Sequence, residues 1–144
     1  MESALSDIVV LDMASDAAGS YACMLLGDMG ADVTKVELAD NEDWRGDPPF
    51  HLWNRGKKSI YLDLDRPGAK TVLKALVNSA DVFVEDMVPD DIRQRGLDYK
   101  TLSSSNPQLI YCAIPPFGED GPMMNNHGDD GVVAAFSGVM ADQA

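Results

Sequence analysis

Apolar runs alternate with helical patterns from the start of the chain. A run rich in β-branched residues, 8–12, precedes a turn of small residues, 14–20. Apolar residues at helical spacing follow, and a second apolar run covers residues 33–36. This order predicts a strand, a helix and a second strand parallel to the first. Because ligands of parallel sheets bind beyond the carboxyl ends of the strands, we expect chemistry first at the 14–20 turn.

The same alternation continues through the chain. The pattern predicts a strand over 57–64, a helix opened by Pro67, a strand over 81–85, helices over 89–95 and 99–105, and a strand over 109–114. Residues 131–140 are apolar with small residues between, which predicts a buried helix. Strands alternating with helices indicate a single α/β domain over residues 1–144. We expect a Rossmann-like, mainly parallel sheet with helices on both faces.

One long segment, residues 38–56, interrupts this pattern. It is crowded with Asp, Gly and Pro, and such a loop inside a compact domain is usually functional or disordered, so we predict a functional loop. The only dense basic cluster, residues 54–58, follows it directly. This cluster either grips an anionic ligand or is a solvated approach to the next strand.

Charge and composition narrow the possible partners. The chain holds 24 acidic and 11 basic residues, for a net charge of −13, which disfavours nucleic acid and anionic membranes. Its apolar stretches are too short to span a membrane, and it shows no secretory signal, so we expect a cytoplasmic protein. The two cysteines, Cys23 and Cys112, are interpreted as small buried hydrophobes.

The candidate chemical motifs each have a structural alternative. The first turn has one glycine where a dinucleotide-binding turn needs three, which argues against NAD. Asp16 is positioned to cap the following helix. Asp129 and Asp130 could act as an acid/base pair, although adjacent acids at a helix start are more often caps. The two histidines lack partners at metal-ligand spacing, so no metal site is predicted.

Several segments in order carry a family resemblance. They are V-V-L-D, L-L-G-D-M-G-A-D-V-T-K-V-E, W-N-R-G-K-K-S-I-Y-L-D-L, A-D-V-F-V-E-D-M-V-P, R-G-L-D-Y-K-T-L, N-P-Q-L-I-Y, F-G-E-D-G-P and a final G-D-D-x-x-x-A-A-x-S-G. Together they resemble family III CoA-transferases, the group of formyl-CoA and carnitine CoA-transferases. The α-methylacyl-CoA racemases share the pattern.

The resemblance implies a fold and a reaction. Members have a Rossmann-like large domain and a small domain, and two chains interlock. They bind acyl-CoA as substrate and pass CoA between carboxylic acids through a mixed anhydride on an aspartate. On this basis the chain is the N-terminal, CoA-binding portion of such an enzyme, incomplete relative to the large domain. The catalytic aspartate is expected beyond residue 144, with a homo-oligomer or a partner chain completing the fold.

The resemblance also assigns CoA-contacting positions. They are Asp16, Ala17, Ala18, Leu38, Lys57, Asp86, Met87 and Arg95. Several depart from the family pattern: Leu38 replaces an arginine, Ala17 a glutamine, and Asp86-Met87 an Asn-Phe pair. Weak CoA binding is therefore predicted.

Two alternatives to a transferase fragment remain open. One is a non-catalytic CoA-binding or assembly module, which an exposed apolar patch would support. The other is a racemase-type acid/base enzyme using Asp129 or Asp130. Racemases carry a catalytic His immediately before an Asp, and these two positions are Asp129 and Asp130 here. The missing histidine argues against racemase chemistry.

Overall fold

The computed structural model describes residues 3–39, 45–46 and 48–142. Within them, five strands alternate with helices as the sequence predicts. The elements are β1 (Val9–Asp12), α1 (Ala17–Asp28), β2 (Asp32–Leu38), α2 (Pro48–Trp53), β3 (Lys58–Leu62), α3 (Ala69–Ser79), β4 (Val82–Glu85), α4 (Pro89–Arg95), α5 (Tyr99–Ser103), β5 (Ile110–Ala113), α6 (Asp130–Phe136) and α7 (Val139–Asp142).

All five strands are parallel and form one sheet in the order β3-β2-β1-β4-β5. Val10 in β1 pairs with Val33 of β2 on one side and with Val82 of β4 on the other. The chain builds outward from β1 to β3 and then crosses back to β4. The strand order thus reverses between β1 and β4, and a crevice forms beyond the carboxyl ends of strands at such a reversal. The parallel α/β sheet is confirmed.

Helices cover both faces of the sheet, as predicted. Val10 and Leu11 are adjacent in β1 and point to opposite faces because side chains alternate along a strand. Val10 packs with Cys23 of α1 in one core cluster. Leu11 packs with Leu73 and Val77 of α3 in the other. The central strand β1 is therefore buried on both faces, which explains its continuous apolar sequence.

The start of α1 lies unusually close to the turn before it. A Cβ atom on Gly19 would stand 2.4 Å from the Cβ of Ala14, closer than real carbon atoms approach. Only glycine fits here without displacing the turn. The single glycine of the 14–20 turn therefore serves the packing of helix against turn.

Several element bounds differ from the sequence prediction, and two of these differences concern the start of a helix. Residues 38–56, predicted as a loop, contain the short helix α2, which begins at Pro48, a residue that suits the first turn of a helix; residues 40–44 and 47 lie outside the described residues. Helix α3 begins at Ala69, two residues later than the start predicted at Pro67. Gly68 stands at its N-cap with φ 91°, a conformation that favours glycine.

The prediction of one buried helix over residues 131–140 is wrong. The structure has two short helices, α6 and α7, separated by Gly138 at φ 83°, and neither buries a residue. Phe136 is 67% exposed and contacts Phe117 edge-on, with ring centroids 5.7 Å apart. The apolar spacing indicates a helix face that other residues would bury, but the described residues leave this face exposed. Cys112 is likewise exposed, contrary to prediction, whereas Cys23 is buried.

Candidate functional site

A cavity of about 500 Å³ opens at the carboxyl ends of β1 and β4, where the strand order reverses. The turn after β1, the segment after β4, helix α4 and the residues before α6 form its walls. It is lined by Ser15, Asp16, Asp86, Met87, Val88, Asp91, Arg95, Pro116, His127, Gly128, Asp129 and Val132. The fold thus brings together Asp16, Asp86, Met87, Arg95 and Asp129, which lie far apart in the sequence.

The turn after β1 is held by the Asp86 carboxylate. Its Oδ2 accepts hydrogen bonds from the backbone N–H groups of Ser15 and Asp16, both at 2.6 Å, and its Oδ1 accepts one from the Ser15 hydroxyl at 3.1 Å. Burial raises the pKa of Asp86, while these hydrogen bonds oppose that rise. A carboxylate of the protein therefore occupies two backbone donors of the turn before α1.

A second buried carboxylate, Asp12 at the end of β1, secures the same turn. Lys57 Nζ lies 2.7 Å from its Oδ2 and Lys35 Nζ lies 3.2 Å from its Oδ1. Oδ1 also accepts from the Ala14 N–H at 3.0 Å, and Lys35 donates to the Ala14 carbonyl. Burial lowers the pKa of Lys35, although Asp12 opposes this shift. Asp12 and Lys35 thus bind both backbone groups of Ala14, and Lys57 binds the other oxygen of Asp12.

This arrangement places Lys57 away from the cavity walls. Its side chain is 2% exposed, and its ammonium also donates to the Ser20 carbonyl and to Asn54 Oδ1, both at 2.9 Å. The basic cluster at 54–58 is therefore divided. Lys57 points inward, whereas Lys58 is exposed beside Asp32. Contact between Lys57 and CoA stays a prediction.

Asp16 is the most perturbed acid on the cavity wall. Burial raises its pKa to about 6, and the negative charges of Asp86, Asp130 and Asp129 add to the rise. It stands at the N-cap position of α1, as predicted, but its side chain makes no capping hydrogen bond. Its carboxyl group therefore changes charge close to neutral pH.

The two acids before α6 have different roles. Asp129 Oδ1 accepts from the Val132 N–H at 2.8 Å, so the capping interpretation of Asp129 is confirmed. Asp130 lies in the first turn of α6, where a negative charge suits the positive end of the helix dipole. Acid/base action by either residue stays a prediction.

Leu38 lies beside the main cavity. It is buried at the end of β2 and lines a neighbouring space of about 370 Å³, which shares Asp91 and Arg95 with the first. Ala17 and Ala18 begin α1, with Ala18 exposed. Arg95 is thus the candidate cation that both spaces share.

Sequence reasoning missed four participants. Asp91 lines both spaces, and its i,i+4 spacing from Arg95 on α4 was the available signal, because such residues share a helix face. Asp12 and Lys35 gave no local signal, since their contact joins residues 23 positions apart. His127, noted only for lacking metal partners, lines the cavity with Nε2 3.6 Å from Asp91 Oδ2.

Among the described residues, none of the helices is both long and apolar enough to span a membrane. No cluster of three or more His, Cys, Asp or Glu among these residues is arranged to hold a metal ion.

Comparison with known proteins yields consistent matches. The model of CoA-transferase family III matches residues 5–143. The chain is 40% identical to a succinate–glutarate CoA-transferase of Agrobacterium fabrum, over 95% of this chain and 38% of that protein. It is 38% identical to the human succinyl-CoA:glutarate CoA-transferase, over 94% of this chain and 33% of the other.

A solved structure agrees. A CaiB/BaiF family protein from Brucella suis superposes with a TM-score of 0.88 at 35% identity, over 97% of this chain and 40% of that chain. The chain therefore spans about 40% or less of the length of these relatives, so its fold corresponds to only part of theirs. Since the family model covers nearly all 144 residues, the chain belongs to CoA-transferase family III.

Proposed function

We propose that this chain is the CoA-binding portion of an enzyme that moves CoA between carboxylic acids. The cavity at the ends of β1 and β4 would receive the acyl-CoA thioester. The observation that carries this proposal is the convergence of Asp16, Asp86, Met87 and Arg95 on one cavity at the strand reversal. Four positions assigned by family resemblance alone thus share a wall.

The reaction needs an aspartate that attacks the thioester carbonyl. Attack breaks the carbon–sulfur bond and leaves CoA thiolate and a mixed anhydride between the donor acyl group and the aspartate. The thiolate then attacks the aspartyl carbonyl, which releases the donor carboxylate and leaves an aspartyl-CoA thioester. The acceptor carboxylate displaces the thiolate from this thioester to form a second anhydride, and the thiolate attacks the acceptor carbonyl, which gives the new acyl-CoA and restores the aspartate. Asp86 holds the turn and Asp129 caps α6, so each already has a structural partner. We therefore propose that the attacking aspartate comes from sequence beyond these 144 residues and that the isolated chain binds without catalysing.

A titration of the 144-residue chain with CoA tests the binding proposal, with two arginine variants of α4. Arg95 lines the cavity, while Arg93 faces Asp90 at 3.2 Å on the exposed side. We expect R95Q to weaken binding roughly tenfold, as loss of one charge-assisted contact would, and R93Q to leave it unchanged. Equal affinity in both variants, or no binding by a folded wild-type chain, would overturn the proposal.

An assembly role is the second candidate, and the exposed apolar residues of the last two helices favour it. Val132, Phe136, Val139 and Met140 are each between 47% and 67% exposed. Exposed apolar side chains grouped on two neighbouring helices favour an interaction site. We expect the chain to self-associate in light scattering and F136S to reduce that association. A wild-type chain that stays monomeric at high concentration would exclude self-assembly.

A further inference from the structure

Two adjacent carboxyl groups end β4, and both are buried. Glu85 is 1% exposed and Asp86 is 6% exposed. Two neighbouring negative charges in such a place would repel each other and would both lose their hydration. The hydrogen-bond partners of the two groups show how this conflict is resolved.

The hydrogen bonds of Asp86 are compatible with a charged carboxylate. Two backbone N–H groups, of Ser15 and Asp16, point at Oδ2, and the Ser15 hydroxyl lies against Oδ1. A backbone N–H can only donate, so Oδ2 must act as an acceptor. These three hydrogen bonds favour the charged form of Asp86.

Glu85 has a different set of neighbours. Its Oε2 accepts from the Met87 N–H at 2.7 Å. Its Oε1 lies 3.1 Å from the Tyr111 hydroxyl oxygen, which lies 3.2 Å from the Leu97 carbonyl oxygen. The hydroxyl has one hydrogen, but an ionised Glu85 and the Leu97 carbonyl would both need it. With a proton on Oε1, Glu85 donates to Tyr111 and Tyr111 donates to Leu97, so every contact is satisfied.

The position of the Tyr111 hydroxyl is fixed by its ring. The ring packs against Phe83, with centroids 5.4 Å apart, and against Tyr99 at 5.9 Å. A cavity of about 380 Å³ lies beside the pair. The charged or titratable groups around it are Arg93 of α4, Asp98, Tyr99 and Lys100 at the start of α5, Tyr111 of β5 and Glu119 after β5.

We propose that Glu85 is a buried proton-binding site, a carboxylic acid that donates its proton from Oε1 to Tyr111 while Asp86 carries the charge. Loss of this proton forces the Tyr111 hydrogen toward Glu85 and removes it from the Leu97 carbonyl. The link from the end of β4 to the α4–α5 connection then breaks. The hydrogen-bond chain that joins Glu85, Tyr111 and Leu97 therefore depends on pH.

The burial of Glu85 supports this assignment. Burial raises its pKa from 4.5 to about 7, against the opposing hydrogen bonds from Met87 and Tyr111. Because the folded-state pKa is the higher one, the folded protein keeps a proton that the unfolded chain loses between these values. The stabilisation is complete below pH 4.5 and lost as the pH rises to about 7. The unfolding equilibrium constant should rise on the order of a hundredfold over this window.

Carboxyl-carbon NMR of the full chain, with labelled glutamate, observes the proton directly. The chain has five glutamates, so the spectrum is simple to assign. We expect the Glu85 carboxyl to titrate near neutral pH. A Glu85 signal that titrates near the ordinary value of 4.5 would overturn the proposal, and this measurement needs no variant.

Urea unfolding of Glu85→Gln gives the second test, because the glutamine amide reproduces the contacts of a protonated carboxyl. We expect the variant to lose about a hundredfold of the pH dependence of the unfolding constant between about pH 5 and about pH 8. Asp120→Asn, an exposed acid that does not line this cavity, serves as the control and should keep the wild-type dependence. Identical pH profiles for Glu85→Gln and wild type would contradict the proposal.

Discussion

At the scale of single residues, the Asp12 carboxylate and its two lysines form the most buried ionic group of the described chain. The side chains of Asp12, Lys35 and Lys57 are 0%, 3% and 2% exposed. Removing such charges from water is costly, and the cost is offset only while every partner is present. The cluster holds the turn beside the candidate site, so its loss should be felt there.

Lys57 and Lys58 allow this cost to be measured with neighbouring substitutions. K57M removes the cation beside Oδ2 of the buried Asp12, and we expect it to lower the free energy of unfolding by about 3–5 kcal/mol. K58M removes an exposed pair with Asp32 and should cost no more than about 1 kcal/mol. Urea denaturation monitored by circular dichroism measures both. Similar losses for the two variants would show that Lys57 is not a buried partner in solution.

The same two lysines show the limit of prediction at this scale. Both belong to one basic cluster in the sequence, and nothing local separates them. Lys57 meets Asp12 across 45 positions of sequence, so its partner is decided by the pairing of strands and not by its neighbours. Asp129 was predictable as a cap because its acceptor role depends on a helix that starts at the next residue.

At the scale of elements, α1 depends on its close approach to the turn before it. Gly19 has no room for a Cβ because Ala14 lies 2.4 Å from that position, while Gly27 near the end of the same helix has its nearest neighbour, Val33, at 3.4 Å. Packing therefore requires a glycine at position 19 but not at position 27.

This difference predicts opposite effects of the same substitution. We expect G19A to lower the free energy of unfolding by about 1–3 kcal/mol, because the turn or the helix must shift. G27A should raise it by up to about 1 kcal/mol through better helix propensity. Thermal unfolding of the two variants compares them within one helix. A stable G19A with unchanged melting temperature would mean that the turn yields without cost.

The elements that the sequence predicted well are those whose pattern and burial agree. In β1 the continuous apolar run matches a strand covered on both faces, and in α4 the end at Gly96 matches a residue at φ 70°. Residues 131–140 failed because their apolar spacing describes a face to be covered. The cover itself is not among the described residues, so spacing alone could not decide burial.

At the scale of the whole molecule, the charge of −13 extends into the candidate site. Asp16, Asp86, Asp91 and Asp129 line a cavity whose cationic candidates are Arg95 and His127. An anionic ligand such as CoA must enter against this field. Repulsion of this kind acts through solvent and is reduced by salt.

Salt should therefore tighten CoA binding by the isolated chain. Raising the ionic strength from about 0.1 to about 1 M shortens the screening length from about 10 to about 3 Å, and we expect the Kd to fall at least about twofold. Isothermal titration at the two salt concentrations measures this, with uncharged pantetheine as the control ligand. Weaker CoA binding at high salt would show that attraction by Arg95 exceeds the repulsion of the four acids.

The edge strand β5 carries a built-in reporter for whatever covers the sheet next to it. Ile110 and Cys112 alternate with Tyr111 and lie on its exposed side, while the second thiol, Cys23, is buried on the face of α1 that packs against the sheet. An alkylating reagent should thus modify one cysteine of the native chain and both after denaturation. In a longer chain or a complex, the alkylation rate of Cys112 can be read by mass spectrometry. A lower rate would show that another segment or chain packs against β5.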